Sequence, residues 1–248
     1  VTDARRRLLA EFVGTGLLVA VVVGSGIAAQ TLSADVGLEL LENALVTAGG
    51  LAVLILVFGP ISGAHFNPVV SIADWVLGRR TGTGLAGSEL VPYVVAQVAG
   101  AIGGAVLADA MFAKPLVSWS GHHRSAPHLW LGEVVATAGL LLVIVSLARN
   151  GKSTQTPWAV GAYIGAAYFF TSSTSFANPA VAIGRAFTNT FAGIAPVSLP
   201  GFIAAQLIGG GVGLGLLALL YPTADEVADG LIVPHSSTTV ADALETTS

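Results

Sequence analysis

Charge is what this sequence of 248 residues has least of. Lys, Arg, Asp and Glu make up only 10% of it, against 54% apolar residues and a mean hydropathy of +0.80. A soluble domain carries charge on about a quarter of its residues, so this chain could not cover a water-facing surface. Cysteine is absent as well, which excludes disulfides and thiolate-bound metal. The net charge of −4 says little about partners, because Asp225, Glu226, Asp229, Asp242 and Glu245 put much of the acidity into one tail.

The few charges are clustered. None stands at positions 12–34, 43–73, 153–184 or 186–224, and the longest of these gaps exceed the roughly 20 residues that cross a bilayer. A secretory signal would give one such segment near the N-terminus, not a series passing residue 220. The apolar pattern predicts six spans at about Leu8–Ala29, Ala44–Gly59, Pro92–Phe112, Leu129–Ala148, Pro157–Phe170 and Leu199–Leu220. The second and fifth are short for a full crossing. Each is followed by an apolar segment too short to span, Ile61–Val70 and Ser173–Ile183, broken by Asn-Pro. Arg5, Arg6, Arg7, Arg79, Arg80, Arg149 and Lys152 fall on one side of such a six-span chain; Lys114, Arg124 and Arg185 fall on the other. That bias places both termini in the cytoplasm. The polar tail, 222–248, reads as a disordered cytoplasmic end.

The chain repeats itself. Ala10-Glu11-Phe12-Val13-Gly14-Thr15 returns around Glu133, Ser62–Val70 returns as Ser173–Val181, and Pro92–Gln97 returns as Pro200–Gln206. The offsets are 122, 111 and 109 residues, so order is kept while loop lengths drift. Three spans per half make the repeat inverted, and the interface of such repeats is the usual place for a midplane site. The organisation expected is a first repeat over 1–112, an external connecting loop over 113–128, a second repeat over 129–221 and the tail.

Asn is a favoured helix N-cap and Pro is favoured at the next position. Asn67-Pro68 and Asn178-Pro179 should therefore each start a short helix inside the membrane. Irregular backbone before them is tolerable there only where it lines a cavity. Two helix starts facing one another near the midplane would repel cations, protons included, and let neutral molecules pass. Glu11 and Glu133 lie in apolar sequence at matched positions and read as acceptors for the irregular loop of their own half. No His, Cys or Lys accompanies them in sequence, so a catalytic role is not expected. Gln97 and Gln206 are also matched and could bond across helices. Gly14, Gly16, Gly24, Gly100, Gly104, Gly209 and Gly213 read as close-packing positions.

On Ala10–Thr15, Ser62–Val69 and Asn178-Pro179-Ala180 the chain resembles the aquaporin and glycerol-facilitator family over about Leu8 to Tyr221. The resemblance implies an all-α transmembrane fold, a right-handed bundle of six spanning helices plus two half-helices, assembled as a homotetramer with one pore per subunit in a bacterial inner membrane. It further implies that Asn67 and Asn178 offer amides to the permeant within the motifs Asn67-Pro68-Val69 and Asn178-Pro179-Ala180. The carbonyls of Gly63, Ala64, His65, Ser175, Phe176 and Ala177 would form a single-file ladder. His65 is then a pore-lining or loop-bracing residue; His122, His123 and His128 have only the density of a weak metal site. No metal, cofactor, enzymatic activity or nucleic-acid partner is expected.

The pattern departs from the family at its aromatic/arginine filter. Val181 stands where most members have Arg, Thr47 falls on a position that is often aromatic, and Ser175 is the loop position. The span-five position is Ala166 counted back from Asn178 or Tyr168 counted on from Gly161. Exchanging Arg and an aromatic for Val and Thr widens the gate and removes its fixed charge. The Val pattern is similar to that of bacterial channels linked to arsenic handling, and some plant vacuolar members share it. The solutes implied are water, glycerol and neutral metalloid hydroxides such as arsenous acid. A plain water or glycerol channel, an ion-coupled transporter and a non-conducting tetramer are the rivals. Arg185, four residues after Val181, is expected near the outer mouth, either bracing a loop or forming a positive rim.

Overall fold

The computed structural model describes residues 3–79 and 82–221. Arg80 and the tail lie outside them. The described residues form eight α-helices and two single 3-10 turns. The helices are α1 (Asp3–Leu32), α2 (Val36–Ser62), α3 (Pro68–Gly78), α4 (Gly87–Met111), α5 (Pro127–Arg149), α6 (Thr156–Phe170), α7 (Pro179–Arg185) and α8 (Leu199–Leu220). In α1, α2, α4, α5 and the segment 196–220, length and composition suffice to cross a membrane.

Helix ends differ from the hydropathy reading for identifiable reasons. α2 begins at Val36 rather than Ala44, because Asp35 caps it: its Oδ1 accepts the Leu38 N–H at 2.9 Å. The charges at Glu39 and Glu42 conceal those first two turns from a hydropathy scan. α4 begins at Gly87 and carries Pro92 inside its second turn, at the cost of one ladder bond. α6 has only 15 residues, about 22 Å of helix at 1.5 Å per residue. A 3-10 turn, Ser153–Gln155, precedes it.

Glycine decides how the long helices meet. A Cβ on Gly100 would run into the Phe12 carbonyl and one on Gly104 into the Gly16 carbonyl, both well inside contact distance. Only hydrogen at these two positions lets the backbones of α1 and α4 approach this closely. Because 12 faces 100 and 16 faces 104, the two helices run parallel. The other half repeats this: Gly209 of α8 faces Val134 of α5 and Gly213 faces Ala138. Between halves, Gly161 faces Ala48 and Ala52 while Gly165 faces Ala44 and Ala48, so α2 and α6 cross in opposite directions. Parallel pairs within halves and an antiparallel contact between them are what an inverted repeat produces.

The two short helices close the centre. α3 packs on α4 and α8, α7 on α4, α8 and α1, and the two touch each other. Many large apolar residues face outward, among them Leu45, Val53, Leu131 and Leu219, as suits helices immersed in lipid.

Candidate functional site

Asn67 caps α3, its Oδ1 accepting the Val69 N–H at 2.9 Å, with Pro68 at the first helical position. Asn178 caps α7 in the same way, accepting from Ala180 at 3.0 Å and Val181 at 3.2 Å, with Pro179 next. The remaining amide atoms tie the halves together. Asn67 Nδ2 donates to the Ala177 carbonyl at 2.8 Å, and Asn178 Nδ2 donates to the Phe66 carbonyl at 2.7 Å. Each amide has two N–H groups, so one remains for another acceptor.

The loops ahead of these caps are held in costly conformations. Ala64 and Phe66 have φ of 49° and 51°; Ser175 and Ala177, 111 residues on, both have 49°. Left-handed backbone at a non-glycine residue costs about 1–3 kcal/mol. The buried carboxylates offset this cost. Glu11 accepts from Ser62 Oγ at 2.6 Å, the His65 N–H at 3.0 Å, the Phe66 N–H at 2.8 Å and Gln97 Nε2 at 2.8 Å. Glu133 accepts from the Phe176 N–H at 2.9 Å, the Ala177 N–H at 2.8 Å and Gln206 Nε2 at 2.6 Å. A hydrogen bond to a charged group stabilises by about 1.5–3 kcal/mol, the same size as the strain at each residue.

Between the halves lies a narrow lumen of about 60 Å³, room for a file of about four or five waters. Its apolar wall obeys the repeat: Leu18 and Leu140, Val22 and Ile144 are paired at 122 residues, Leu51 and Val160, Ile55 and Ile164 at 109. Its polar wall carries Ala64, His65, Phe66 and Asn67 from one loop and Ser175, Phe176, Ala177 and Asn178 from the other. Thr47, Tyr168, Val181 and Arg185 also line it.

Several sequence expectations change here. Gly63 is not in the wall; it caps α2 with φ 84° and donates its N–H to Gly59. Phe66 takes the place expected of it, so the first loop's lining residues are 64–66, in register with 175–177. The repeat offset of 111 could have given this. Of the two span-five candidates, Tyr168 lines the lumen and its hydroxyl lies 3.2 Å from Thr47 Oγ1, whereas Ala166 faces outward. Within the two motifs Asn67 and Asn178 line the lumen, as expected of them, while Val69 sits against Gly210 of α8. Of the two readings of Arg185, the contact seen is the loop-bracing one rather than an exposed rim. The residue is only 3% exposed, its Nε donates to the Ala192 carbonyl, and its guanidinium lies 3.5 Å from the centre of the Phe176 ring.

His65 is braced by Ser71 Oγ at 3.1 Å and lies 3.7 Å from the Asp74 carboxylate. Among the described residues no three His, Asp or Glu side chains gather in metal-binding geometry, those of His122, His123 and His128 included. Sequence reasoning missed Arg124. The loop 113–126 folds back onto 186–195, with Ser118 bonded to Phe187 and Ala195 to His122. This carries Arg124 to 5.2 Å from the Phe176 ring. Burial lowers its pKa below the ordinary arginine value, and Glu133 and Tyr168 partly oppose that shift.

A multi-pass helical protein with a lumen between two capped half-helices has the build of a membrane channel. The chain belongs to the major intrinsic protein family, whose family model matches residues 1–190. It is 50% identical over 218 residues to aquaglyceroporin AqpS of Rhizobium meliloti (strain 1021), covering 88% of this chain and 91% of that one. It is 32% identical to a glycerol uptake facilitator protein of Pseudomonas aeruginosa over 78% of this chain and 77% of the relative. The aquaglyceroporin of Plasmodium falciparum shares the fold, with a TM-score of 0.66 at 20% identity over 90% of this chain and 99% of that one.

Proposed function

We propose that the chain is a passive, bidirectional channel for small uncharged solutes, admitting water, glycerol and trivalent arsenicals or other metalloid hydroxides. The observation that carries this reading is the outer lumen wall. Val181 contributes methyl groups where the family pattern usually has a guanidinium, and Thr47 contributes a hydroxyl where it is often aromatic. Thr47, Tyr168, Ser175 and Val181 act as the selectivity filter. Asn67 and Asn178 each present their second amide N–H to the permeant, and the loop carbonyls at 64–66 and 175–177 act as its acceptors. The facing starts of α3 and α7 supply the positive potential that rejects cations.

The names borne by the relatives from Rhizobium and Pseudomonas, aquaglyceroporin and glycerol uptake facilitator, favour glycerol among the solutes. Metalloid hydroxides are the finer assignment and rest on Val181 and Thr47. The protein acts as a homotetramer in a bacterial inner membrane, built from repeats 1–112 and 129–221 joined by 113–128. Both termini are cytoplasmic, and the 113–126 loop is external.

Val181→Arg tests the filter. In reconstituted vesicles it should reduce glycerol and arsenous acid flux more than water flux. Equal loss of all three would indicate misfolding, and unchanged selectivity would remove Val181 from the filter. Glycerol flux without arsenous acid flux in the parent would leave a plain water and glycerol channel.

A further inference from the structure

Phe176 has two cations on it. The Arg185 guanidinium stacks at 3.5 Å from the ring centre and that of Arg124 at 5.2 Å. Stacking on a ring supports a cation but gives it no hydrogen-bond acceptor. Arg185 places its Nε on Ala192, and among the described residues its terminal nitrogens donate to no protein atom. Arg124 Nε is buried without an acceptor, although its own backbone N–H is held by Ser198 Oγ at 2.9 Å. Ser175, beside Phe176 in the chain, has a buried Oγ with no partner. It is 3% exposed and lines the same lumen. Two guanidinium groups with unused donors thus lie on one ring, and a third unused donor, Ser175 Oγ, belongs to the lumen residue just before it in the chain.

The carboxylate nearest the backbone of this ring is Glu133, whose Oε1 accepts the Phe176 N–H at 2.9 Å. Its oxygens already serve the Phe176 and Ala177 N–H groups and Gln206. One negative charge against two positive leaves this end of the lumen positive. Buried donors left unpaired are costly, so the site favours whatever brings acceptors to them. A guanidinium fork matches an oxyanion in both charge and geometry.

We propose that Arg124, Arg185 and Ser175 form a binding site for small monovalent oxyanions at the loop-covered end of the lumen. An occupant there stands in the path of neutral solutes, so the anion is a blocker held at the mouth. That consequence rests on the channel reading; the binding itself does not. It also gives the loop 113–126 a purpose in solute choice, since it delivers Arg124 to a ring belonging to the second Asn-Pro loop.

The probe is methanesulfonate, which stays ionised at all working pH values, with dimethyl sulfone as a neutral analogue of similar size. The full chain purified in detergent should melt at a temperature that rises with methanesulfonate concentration and not with dimethyl sulfone. Arg124→Gln should weaken that apparent affinity about tenfold, the loss of one charge-assisted hydrogen bond, with Arg124→Lys in between and Ser175→Ala also weakened. In vesicles, methanesulfonate should slow glycerol flux through the parent more than through Arg124→Gln, each compared with its own unblocked rate. A melting shift without glycerol flux would keep the site and reject the channel reading. Equal shifts for both probes, no shift, or a shift that Arg124→Gln retains in full would overturn the site.

Discussion

Val69 shows how one methyl group on a pore helix constrains its neighbour. A Cβ on Gly210 would lie 2.7 Å from Val69 Cγ1, so the larger side chain at 69 is accommodated by the absence of one at 210. Gly210→Ala should therefore cost about 1–3 kcal/mol through overpacking. Val69→Ala placed on top of it should recover most of that loss. Thermal melting of the two single variants and the double variant gives the coupling directly; additive effects would show that the two residues do not share space. Asn67 and Asn178 were legible because cap and proline chemistry is local to two adjacent residues. Tyr168 was not separable from Ala166, because the chain between α6 and α7 is irregular over 171–178 and no helical period carries across it. Arg124 was invisible for another reason: only the fold of a long loop brings it to Phe176.

The two Asn-Pro loops are elements without a ladder of their own, and each leans on a single carboxylate. In Glu11→Gln one acceptor becomes a donor and faces another N–H, either at His65 or at Phe66. Loss of stability by roughly 3 kcal/mol is expected from the hydrogen bonds removed, and Glu133→Gln should behave alike. A melting temperature that matches the parent for both variants would show that the loops hold their left-handed residues by other means. The repeat made this arrangement readable from sequence, since matched Glu and Gln in apolar runs have few other uses. The exact register did not follow. Gly63 was placed among the ladder carbonyls by resemblance, yet here it is the left-handed cap that ends α2. The charged first turns of α2 were lost for the opposite reason, a helix whose N-terminal residues carry Glu39 and Glu42.

Across the whole molecule, two halves run in opposite directions and meet at Asn67 and Asn178, so the lumen is polar on its loop side and apolar on its helix side. This asymmetry suits solutes that have both hydroxyl and carbon surfaces. The positive ends of α3 and α7 face the same point. Asn178→Asp puts a negative charge there and should open a measurable proton or cation leak while solute flux persists. An assembled variant that stays tight to ions would place the barrier elsewhere. Passive passage of a neutral solute through this lumen requires a flux that is linear in the gradient and symmetric in direction. Its most direct test is the initial rate of glycerol entry into vesicles containing the purified chain, measured over a wide range of gradients. The rate should rise in proportion to the gradient, run equally in either direction, and ignore collapse of proton and sodium gradients. Saturating uptake that disappears with an ion gradient would contradict passive passage.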